Sequence, residues 1–277
     1  MNIIYFVIGS SCLIHMQVKF SLRTFLAQAT PDDTLYVVTD SPQLYAGLPQ
    51  TTVIPLSQQE IATWKGPDDF FWRVKMMAIK QVIDNDDTRH VMYLDGDTFL
   101  HGKLSALKGL LDTGTALMHK DEGRISTMPG KSRQMWEQTK GHTYDGITIE
   151  EHLHMWNAGV VAIPQPLLHS VMDQALNICD GMLRENVEPI VVEQYSLSIT
   201  LQRQARRLLP ASPYIGHYWH EKQMWCKYIA QFFTRSYCQG LSIQDEIEAI
   251  RQTDLLRTDK RLKLKRRINK ITGISLF

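Results

Sequence analysis

Two carboxylates separated by one glycine, Asp95-Gly96-Asp97, are the residues whose types and spacing point most directly to chemistry. Like charges this close repel each other and raise each other's pKa unless a cation or hydrogen-bond donors compensate. Mg²⁺ or Mn²⁺ would compensate, because both ions bind carboxylate oxygens together with the phosphate oxygens of a substrate. In an extended segment both side chains point the same way, and Gly96 leaves room for a ligand. In a turn, one carboxylate could bind the ion and the other a substrate hydroxyl; a solvated turn without function is the alternative.

The elements around this pair predict how it is positioned. The apolar run VMYL at 91–94 predicts a central strand buried on both faces, with Asp95 at its carboxyl end, where open α/β sheets bind their ligands. Further strands are predicted at 3–8, 34–39, 53–56 and within 156–164, and helices at 16–27, 69–83, 167–183 and 193–201. This alternation predicts an α/β fold with a mostly parallel central sheet flanked by helices.

Length and composition predict one main domain. The 277 residues, 44% hydrophobic and 21% charged, can bury a substantial core, and no linker-like or repetitive segment divides them. The apolar start has no basic leader and falls short of the ~18 uninterrupted apolar residues of a membrane-spanning helix. The four cysteines have neither CxxC nor zinc-ligand spacing, so reduced thiols are expected. The cytoplasm is therefore the expected compartment.

The C-terminal segment differs in charge from the rest of the chain. From Arg257 onward there are eight basic residues and one acidic residue, so this segment contributes +7 to the net charge of +1 and leaves −6 on the remainder. We predict one domain over residues 1–250 and a basic amphipathic extension over 251–277, whose part from 257 to 277 can bind an anionic membrane surface. A solvated tail is the alternative. An acidic body is not typical of nucleic-acid binders, so no nucleic-acid partner is expected.

Five ordered segments between residues 70 and 225 carry a family resemblance. They are FFWRVK (70–75), YLDGDTFL (93–100), WNAGVVAI (156–163), EQYSLS (193–198) and HYWHEKQMW (217–225). In this order they resemble blocks of the GT-A glycosyltransferases, specifically the retaining family-eight type that uses UDP-sugars: its arginine, its DxD strand, its NSGV and DQDxLN blocks, and its His-x-x-Gly-x-x-Lys-Pro-Trp ending. The chain departs from that pattern at Glu193, Tyr195, Ser198 and His220, and it lacks the proline.

The resemblance implies an activity and its partners. The fold would be the GT-A fold of nucleotide-diphospho-sugar transferases. The reaction would move a hexose from a nucleotide-sugar, with a UDP-sugar expected, to a hydroxyl of a glycan or glycolipid acceptor such as a lipopolysaccharide precursor. Retention of the anomeric configuration is implied as well. The cofactor would be Mn²⁺ or Mg²⁺ at the donor's pyrophosphate.

The resemblance also assigns roles to residues of this chain. The metal ligands would be Asp95, Asp97 and His217, with His220 as the alternative to His217. Donor binding is predicted for Arg73, Asp95, Asn157, Gly159, Lys222, Gly9 and Ser10. Lys222 would face the diphosphate, Arg73 would pair with a phosphate or brace the acidic pair, and Asn157 and Gly159 would line the sugar pocket. Catalysis is predicted for Glu193, Gln194 and Asp97, the first two on the reactive side of the sugar.

Two other classes of protein remain open at the level of sequence. Phosphohydrolases of the haloacid-dehalogenase type also place Asp-x-Asp after an apolar strand. Their pattern has Thr or Val two residues after the second Asp, whereas this chain has Phe99 there and Thr98 one residue earlier. A non-catalytic relative that binds sugar nucleotides is the other alternative, since EQYSLS departs from the family block.

Overall fold

A seven-stranded sheet forms the centre of the protein in the computed structural model, which describes residues 1–272. From one edge to the other, the strands are β10 (Arg207–Pro210), β6 (Thr115–Arg124), β9 (His154–Ile163), β4 (Val91–Leu94), β1 (Asn2–Val7), β2 (Thr34–Thr39) and β3 (Thr51–Pro55). Strand β9 runs antiparallel to both of its neighbours, and all other pairs are parallel. The predicted α/β class with a mostly parallel sheet is therefore confirmed.

Helices cover both faces of this sheet, and further helices pack outside them, α8 on α1 and α10 on α8. The α-helices of the described chain are α1 (Cys12–Leu26), α2 (Gln58–Trp64), α3 (Phe71–Asn85), α4 (Leu104–Asp112), α5 (Gly130–Thr139), α6 (Leu168–Arg184), α7 (Val192–Gln204), α8 (Lys222–Gln239), α9 (Ile243–Arg251) and α10 (Leu255–Thr272). Two small sheets complete the fold: β5 (Thr98–Leu100) pairs with β11 (Ile215–His217), and β7 (Thr143–Tyr144) with β8 (Ile147–Thr148).

Alternation along the central strands divides the core into two layers. In β4, Val91 and Tyr93 pack with α3, α6 and α7 on one face, while Met92 and Leu94 pack with α1 and α4 on the other. Successive strand side chains point to opposite faces, so a strand covered by helices on both sides must be apolar throughout. All four residues of β4 are buried, as the sequence predicts.

The C-terminal helix α10 packs on α8 along one of its faces. Leu262 is buried, the indole N–H of Trp225 donates to Asp259 Oδ1 at 3.1 Å, and Arg266 pairs with Glu221 at 2.9 Å. The opposite face carries exposed residues, Leu264 and Ile271 among them. Residues 273–277 of the predicted amphipathic extension lie outside the described residues. No helix within residues 1–272 combines the length and apolar character needed to cross a bilayer.

Candidate active site

Three side chains meet at the carboxyl end of β4. Asp95, Asp97 and His217 each offer a ligand atom, and these atoms all lie within 4.8 Å of one another. His217 Nε2 lies 3.1 Å from Asp97 Oδ1 and 4.0 Å from Asp95 Oδ2. Two carboxylates and an imidazole are a donor set that suits Mn²⁺ or Mg²⁺. The structure therefore brings together the three residues predicted as metal ligands.

Local pairing explains how His217 reaches a residue 120 positions away. Strand β11 runs antiparallel to β5, and His217 lies opposite Thr98, the residue after Asp97. The turn that carries the two aspartates packs against α1, where a Cβ on Gly96 would come within 2.7 Å of Val18 Cγ2. The space at Gly96, predicted for a ligand, is filled by Val18. The glycine is thus needed to seat the acidic turn.

Asp97 is an ionised and largely buried carboxylate. Burial opposes its charge, but the hydrogen bond and charge of His217, together with the charge of Lys222, outweigh burial and lower the pKa of Asp97 to about 2. Lys222 Nζ lies 3.3 Å from Asp97 Oδ2, while half of the lysine side chain remains exposed. A cation placed in this way beside the predicted metal ligands can meet a phosphate group.

Asn157 fixes how the ring of His217 faces the aspartates. Asn157 Oδ1 accepts from the backbone N–H of Gly159 at 3.1 Å and lies 3.2 Å from His217 Nδ1. Nδ1 must then carry the proton, so neutral His217 keeps its lone pair on Nε2, directed at Asp97. In this form of the ring the lone pair of Nε2 and an oxygen of Asp97 need a divalent cation between them at 3.1 Å; without a metal ion, a proton on Nε2 supplies the hydrogen bond and the charge that lower the pKa of Asp97. The donor atoms thus fit a divalent cation.

A buried ion pair between Lys75 and Glu193 lies next to Asp95. Lys75 Nζ lies 2.7 Å from Glu193 Oε1 and 3.8 Å from Asp95 Oδ1, and it donates to the carbonyl oxygen of Ala158 at 2.9 Å. Burial keeps the pKa of Glu193 above its ordinary value although Lys75 lowers it, and the acidic partners raise the pKa of Lys75 against burial. The hydroxyl of Tyr93 donates to Asp95 Oδ1 at 2.7 Å. Lys75 was not among the predicted site residues.

Two further polar side chains, Gln194 and Glu122, line the same cavity. Gln194 Oε1 accepts from the backbone N–H of Ala158 at 3.1 Å, and its Nε2 donates to Glu122 Oε2 at 3.1 Å. Glu122 Oε1 accepts from Asn157 Nδ2 at 3.2 Å. Sequence reasoning missed Glu122, because it lies in the polar half of β6 and only the pairing of β6 with β9 brings it beside Asn157.

These side chains line one open cavity of about 540 Å³. Its polar lining comprises Asp95, Asp97, Glu122, Asn157, Gln194, His217 and Lys222, and its apolar lining includes Ile14, Phe71, Trp72, Val191 and Trp219. A cavity of this volume can hold a ligand with several rings. Its polar lining residues can bind the polar groups of such a ligand, and its apolar lining residues can pack against the rings. The cavity therefore has room for a nucleotide-sugar.

Several predicted residues lie elsewhere. Arg73 forms a two-pronged pair with Asp180 Oδ1 and Oδ2, at 2.7 and 3.0 Å, and has no ion pair with either site aspartate within the described chain. The prediction that it braces the acidic pair is wrong, and Lys75 occupies that position. Glu193 is buried behind the cavity wall, and Gly159 faces His217 rather than the open space.

The remaining predicted residues stay predictions. The loop with Gly9 and Ser10 follows the cavity residue Ile8 but is itself exposed; the backbone N–H of Gly9 donates to the carboxylate of Asp40 at 3.1 Å, and its carbonyl accepts from His15 Nε2 at 2.7 Å. His220, the alternative metal ligand, is exposed and stacks beside Trp219. Within residues 1–272, His220 does not belong to the group of potential metal ligands formed by Asp95, Asp97 and His217.

Comparison with known proteins gives structural likeness only. No protein-family model and no curated protein matches the chain. The structure is similar to mouse xyloside xylosyltransferase 1, with 10% identity, a TM-score of 0.49, and coverage of 76% of this chain and 85% of that one. It is similar to the galactosyltransferase LgtC in complex with donor and acceptor sugar analogues, with 13% identity, a TM-score of 0.48, and coverage of 76% and 73%. It is also similar to the bifunctional glycosyltransferase WbbM, with 11% identity, a TM-score of 0.45, and coverage of 76% of this chain and 38% of that one. Likeness at these identities and TM-scores does not assign a function to this chain.

Proposed function

We propose that the protein is a metal-dependent glycosyltransferase of the GT-A type, which transfers a sugar from a nucleotide-sugar to a hydroxyl of a glycan or glycolipid. The observation that carries this proposal is the convergence of Asp95, Asp97 and His217, with ligand atoms within 4.8 Å of one another, in the wall of a cavity of about 540 Å³. The resemblance of the sequence to UDP-sugar transferases favours a UDP-sugar donor and a retained anomeric configuration.

The chain's own residues would divide the work in the following way. Asp95, Asp97 and His217 would hold Mn²⁺ or Mg²⁺, whose charge offsets the negative charge that develops on the departing diphosphate. Lys222 adds a positive charge beside Asp97 for the same phosphates. The amide of Gln194 lies on the cavity wall with its oxygen and nitrogen both hydrogen-bonded, so it acts as a fixed dipole near the reacting sugar.

The charge of the C-terminal helix α10 supports a proposal about where the acceptor is bound. The exposed face of α10 carries basic residues beside Leu264 and Ile271, a combination that suits the surface of an anionic bilayer. We place the protein in the cytoplasm, peripherally bound to the inner face of the membrane. A lipid-linked acceptor such as a lipopolysaccharide precursor would be presented there.

The test combines ligand binding with turnover. Thermal shifts would be measured with a panel of nucleotides and nucleotide-sugars, each with and without Mn²⁺, followed by assays of nucleotide release. A UDP-sugar that stabilises the protein only with Mn²⁺, and loss of turnover by a factor of about 10² or more in Asp97→Asn, are expected. Unchanged turnover in that variant and in excess EDTA would refute the metal scheme.

The same assays separate the alternatives. A phosphohydrolase would release phosphate from small phosphate esters through an aspartyl-phosphate, and a non-catalytic relative would bind UDP without turnover. Neither result is compatible with sugar transfer as the function of this site.

A further inference from the structure

Glu122 is a cavity carboxylate whose two oxygens are both occupied by amides. Oε1 accepts from Asn157 Nδ2 at 3.2 Å, and Oε2 accepts from Gln194 Nε2 at 3.1 Å. A carboxylate only accepts hydrogen bonds, so it requires that the nitrogen end of each amide faces it. Glu122 therefore fixes the orientation of both amides together with the backbone N–H groups of Gly159 and Ala158, which donate to their oxygens.

The orientation of the Asn157 amide determines which of its atoms faces His217 Nδ1. With its nitrogen on Glu122, Asn157 turns its oxygen toward the N–H of Gly159 and toward His217 Nδ1, at 3.1 and 3.2 Å. An oxygen at this place stabilises the tautomer of His217 that carries the proton on Nδ1. The other ring nitrogen, Nε2, is the one that faces Asp97.

We infer that Glu122 is a positioning residue that acts through Asn157 to hold His217 in the Nδ1–H tautomer, with the Nε2 lone pair directed at the divalent cation. This inference rests on the proposed metal site and adds the residues that orient one of its ligands. It also assigns the side chain of Asn157 to the support of His217. Partners that fix the ring orientation of a metal-bound histidine affect metal affinity about 10–100-fold.

The loss of Glu122 has a specific expected consequence. Without the carboxylate, only the N–H of Gly159 holds the oxygen of Asn157 in place, and a half-turn of the amide that gives up this hydrogen bond would turn its N–H group toward His217 Nδ1. His217 would then accept through Nδ1 and carry its proton on Nε2, where Asp97 Oδ1 at 3.1 Å can accept it. A protonated Nε2 has no lone pair for a metal ion.

Two measurements test the inference on the full chain. Nitrogen NMR of histidine-labelled, metal-free protein, recorded at a pH where the ring is neutral, reports the tautomer of His217, with its signals assigned by a His217→Gln variant. Binding of Mn²⁺ alone is measured by the loss of the free-ion signal in electron paramagnetic resonance. We expect Glu122→Gln and Asn157→Asp each to weaken Mn²⁺ binding about 10–100-fold, and Glu122→Gln to shift the tautomer population of His217 toward Nε2–H.

The decisive variant exchanges the two groups. In Glu122→Gln with Asn157→Asp, the amide at 122 can donate to the carboxylate at 157 and still accept from Gln194, while the carboxylate accepts from His217 Nδ1. The net charge is that of the wild type, and we expect most of the Mn²⁺ affinity and the Nδ1–H tautomer to return. Asn177→Asp is the matched control, because Asn177 donates to Asp145 at 3.1 Å away from the site.

The outcomes separate this inference from the proposed function. A double variant as weak as the single variants, or a wild-type tautomer in Glu122→Gln, would overturn the role of Glu122. A wild-type protein that binds no Mn²⁺ would refute the metal site itself, and the tautomer measurement would then still decide whether Glu122 positions His217.

Discussion

Gly159 lies so close to the ring of His217 that no side chain fits between them. A Cβ on Gly159 would come within 2.3 Å of His217 Cε1 and 2.5 Å of Nδ1. The backbone carbonyl of Gly159 also accepts from the N–H of Asp95 at 2.9 Å. Strand β9 therefore holds one predicted metal ligand, Asp95, by its backbone and makes room for another, His217, because Gly159 has no side chain.

We predict that Gly159→Ala displaces His217 and weakens Mn²⁺ binding and turnover together. The added methyl group has to displace the ring from its position beside Asp97, and overpacking of this kind costs about 1–3 kcal/mol of unfolding free energy. Urea denaturation, Mn²⁺ titration and a turnover assay measure the three effects.

Gly109→Ala is the matched control for this substitution. No atom lies within 4 Å of the position where a Cβ at Gly109 would stand, and the residue is in the interior of α4. Alanine is there expected to stabilise the helix by about 0.5–1 kcal/mol and to leave Mn²⁺ binding unchanged. Wild-type Mn²⁺ affinity in Gly159→Ala would contradict the packing argument.

Lys222 provides a prediction about the donor's phosphates. Its side chain is half exposed and pairs with Asp97 at 3.3 Å, so Lys222→Ala should change the unfolding free energy by less than about 1 kcal/mol. Turnover with a nucleotide-sugar should fall about 10–100-fold, because a charge aimed at the leaving group is lost. Lys131→Ala, which removes an exposed pair with Glu188 at 3.0 Å, should leave turnover unchanged. Equal turnover in the two variants would exclude a phosphate role for Lys222.

Sequence reasoning located the acidic pair because its signal is local. An apolar strand followed by two carboxylates is a pattern contained within about eight consecutive residues. The bounds of strands β2 and β4 also agree with the predicted bounds. Arg73 and Lys75 show where such reasoning fails. They lie two residues apart on α3, so they point to opposite sides of the helix, and the sequence does not tell which side faces the aspartates.

Glu122 was missed for a related reason. It lies in the segment HKDEGR at 119–124, whose polar composition is typical of a loop, although it forms the second half of β6. Its neighbours in the site come from β9 and α7, and two irregularities in the pairing of β6 with β9 set its position. Contacts of this kind depend on sheet register, which composition and periodicity do not specify.

The buried pair of Lys75 and Glu193 predicts a large loss of stability from one substitution. Lys75→Met leaves Glu193 without a charged partner in a buried position, which costs about 3–5 kcal/mol of unfolding free energy. Adding Glu193→Gln should recover part of this loss, because the uncompensated charge is gone. Arg73→Met, which breaks a partly exposed pair with Asp180, should cost about 1 kcal/mol. Denaturation curves in which Lys75→Met costs no more than Arg73→Met would contradict the buried-charge argument.

Asp33 gives a prediction about acid stability away from the site. Burial opposes its ionisation, but hydrogen bonds from Lys108 Nζ at 2.6 Å and from the N–H of Thr30 at 2.8 Å outweigh burial and lower its pKa to about 2. The folded pKa lies below the unfolded value of about 3.9, so the contribution is fully present above that value and is lost as the pH falls toward 2. Lowering the pKa from about 3.9 to about 2 corresponds to about 2.6 kcal/mol of unfolding free energy, of which roughly half is lost by pH 3.

The measurement is the unfolding free energy in urea at pH 6 and at pH 3. The decrease between the two pH values should be about 1 kcal/mol smaller in Asp33→Asn than in the wild type. Asp173→Asn, which changes an exposed aspartate on α6, should retain the wild-type decrease. Identical pH dependence in Asp33→Asn and the wild type would show that the lowered pKa does not contribute to acid stability.

The exposed face of α10 predicts how the protein meets a membrane. Deleting the helix would also remove Leu262 and Asp259, which pack and bond on α8, so substitution is the cleaner test. Each exposed basic residue near an anionic surface contributes about 1 kcal/mol. Replacing Lys260, Arg267 and Lys270 by glutamine should therefore weaken binding to phosphatidylglycerol-containing vesicles about 100-fold in a flotation assay, with unchanged stability. The control replaces Lys131, Arg133 and Lys140, the exposed basic residues of α5 and its C-terminal end, and should bind as the wild type does. Equal losses in both triple variants would mean that net charge, rather than the face of α10, determines membrane binding.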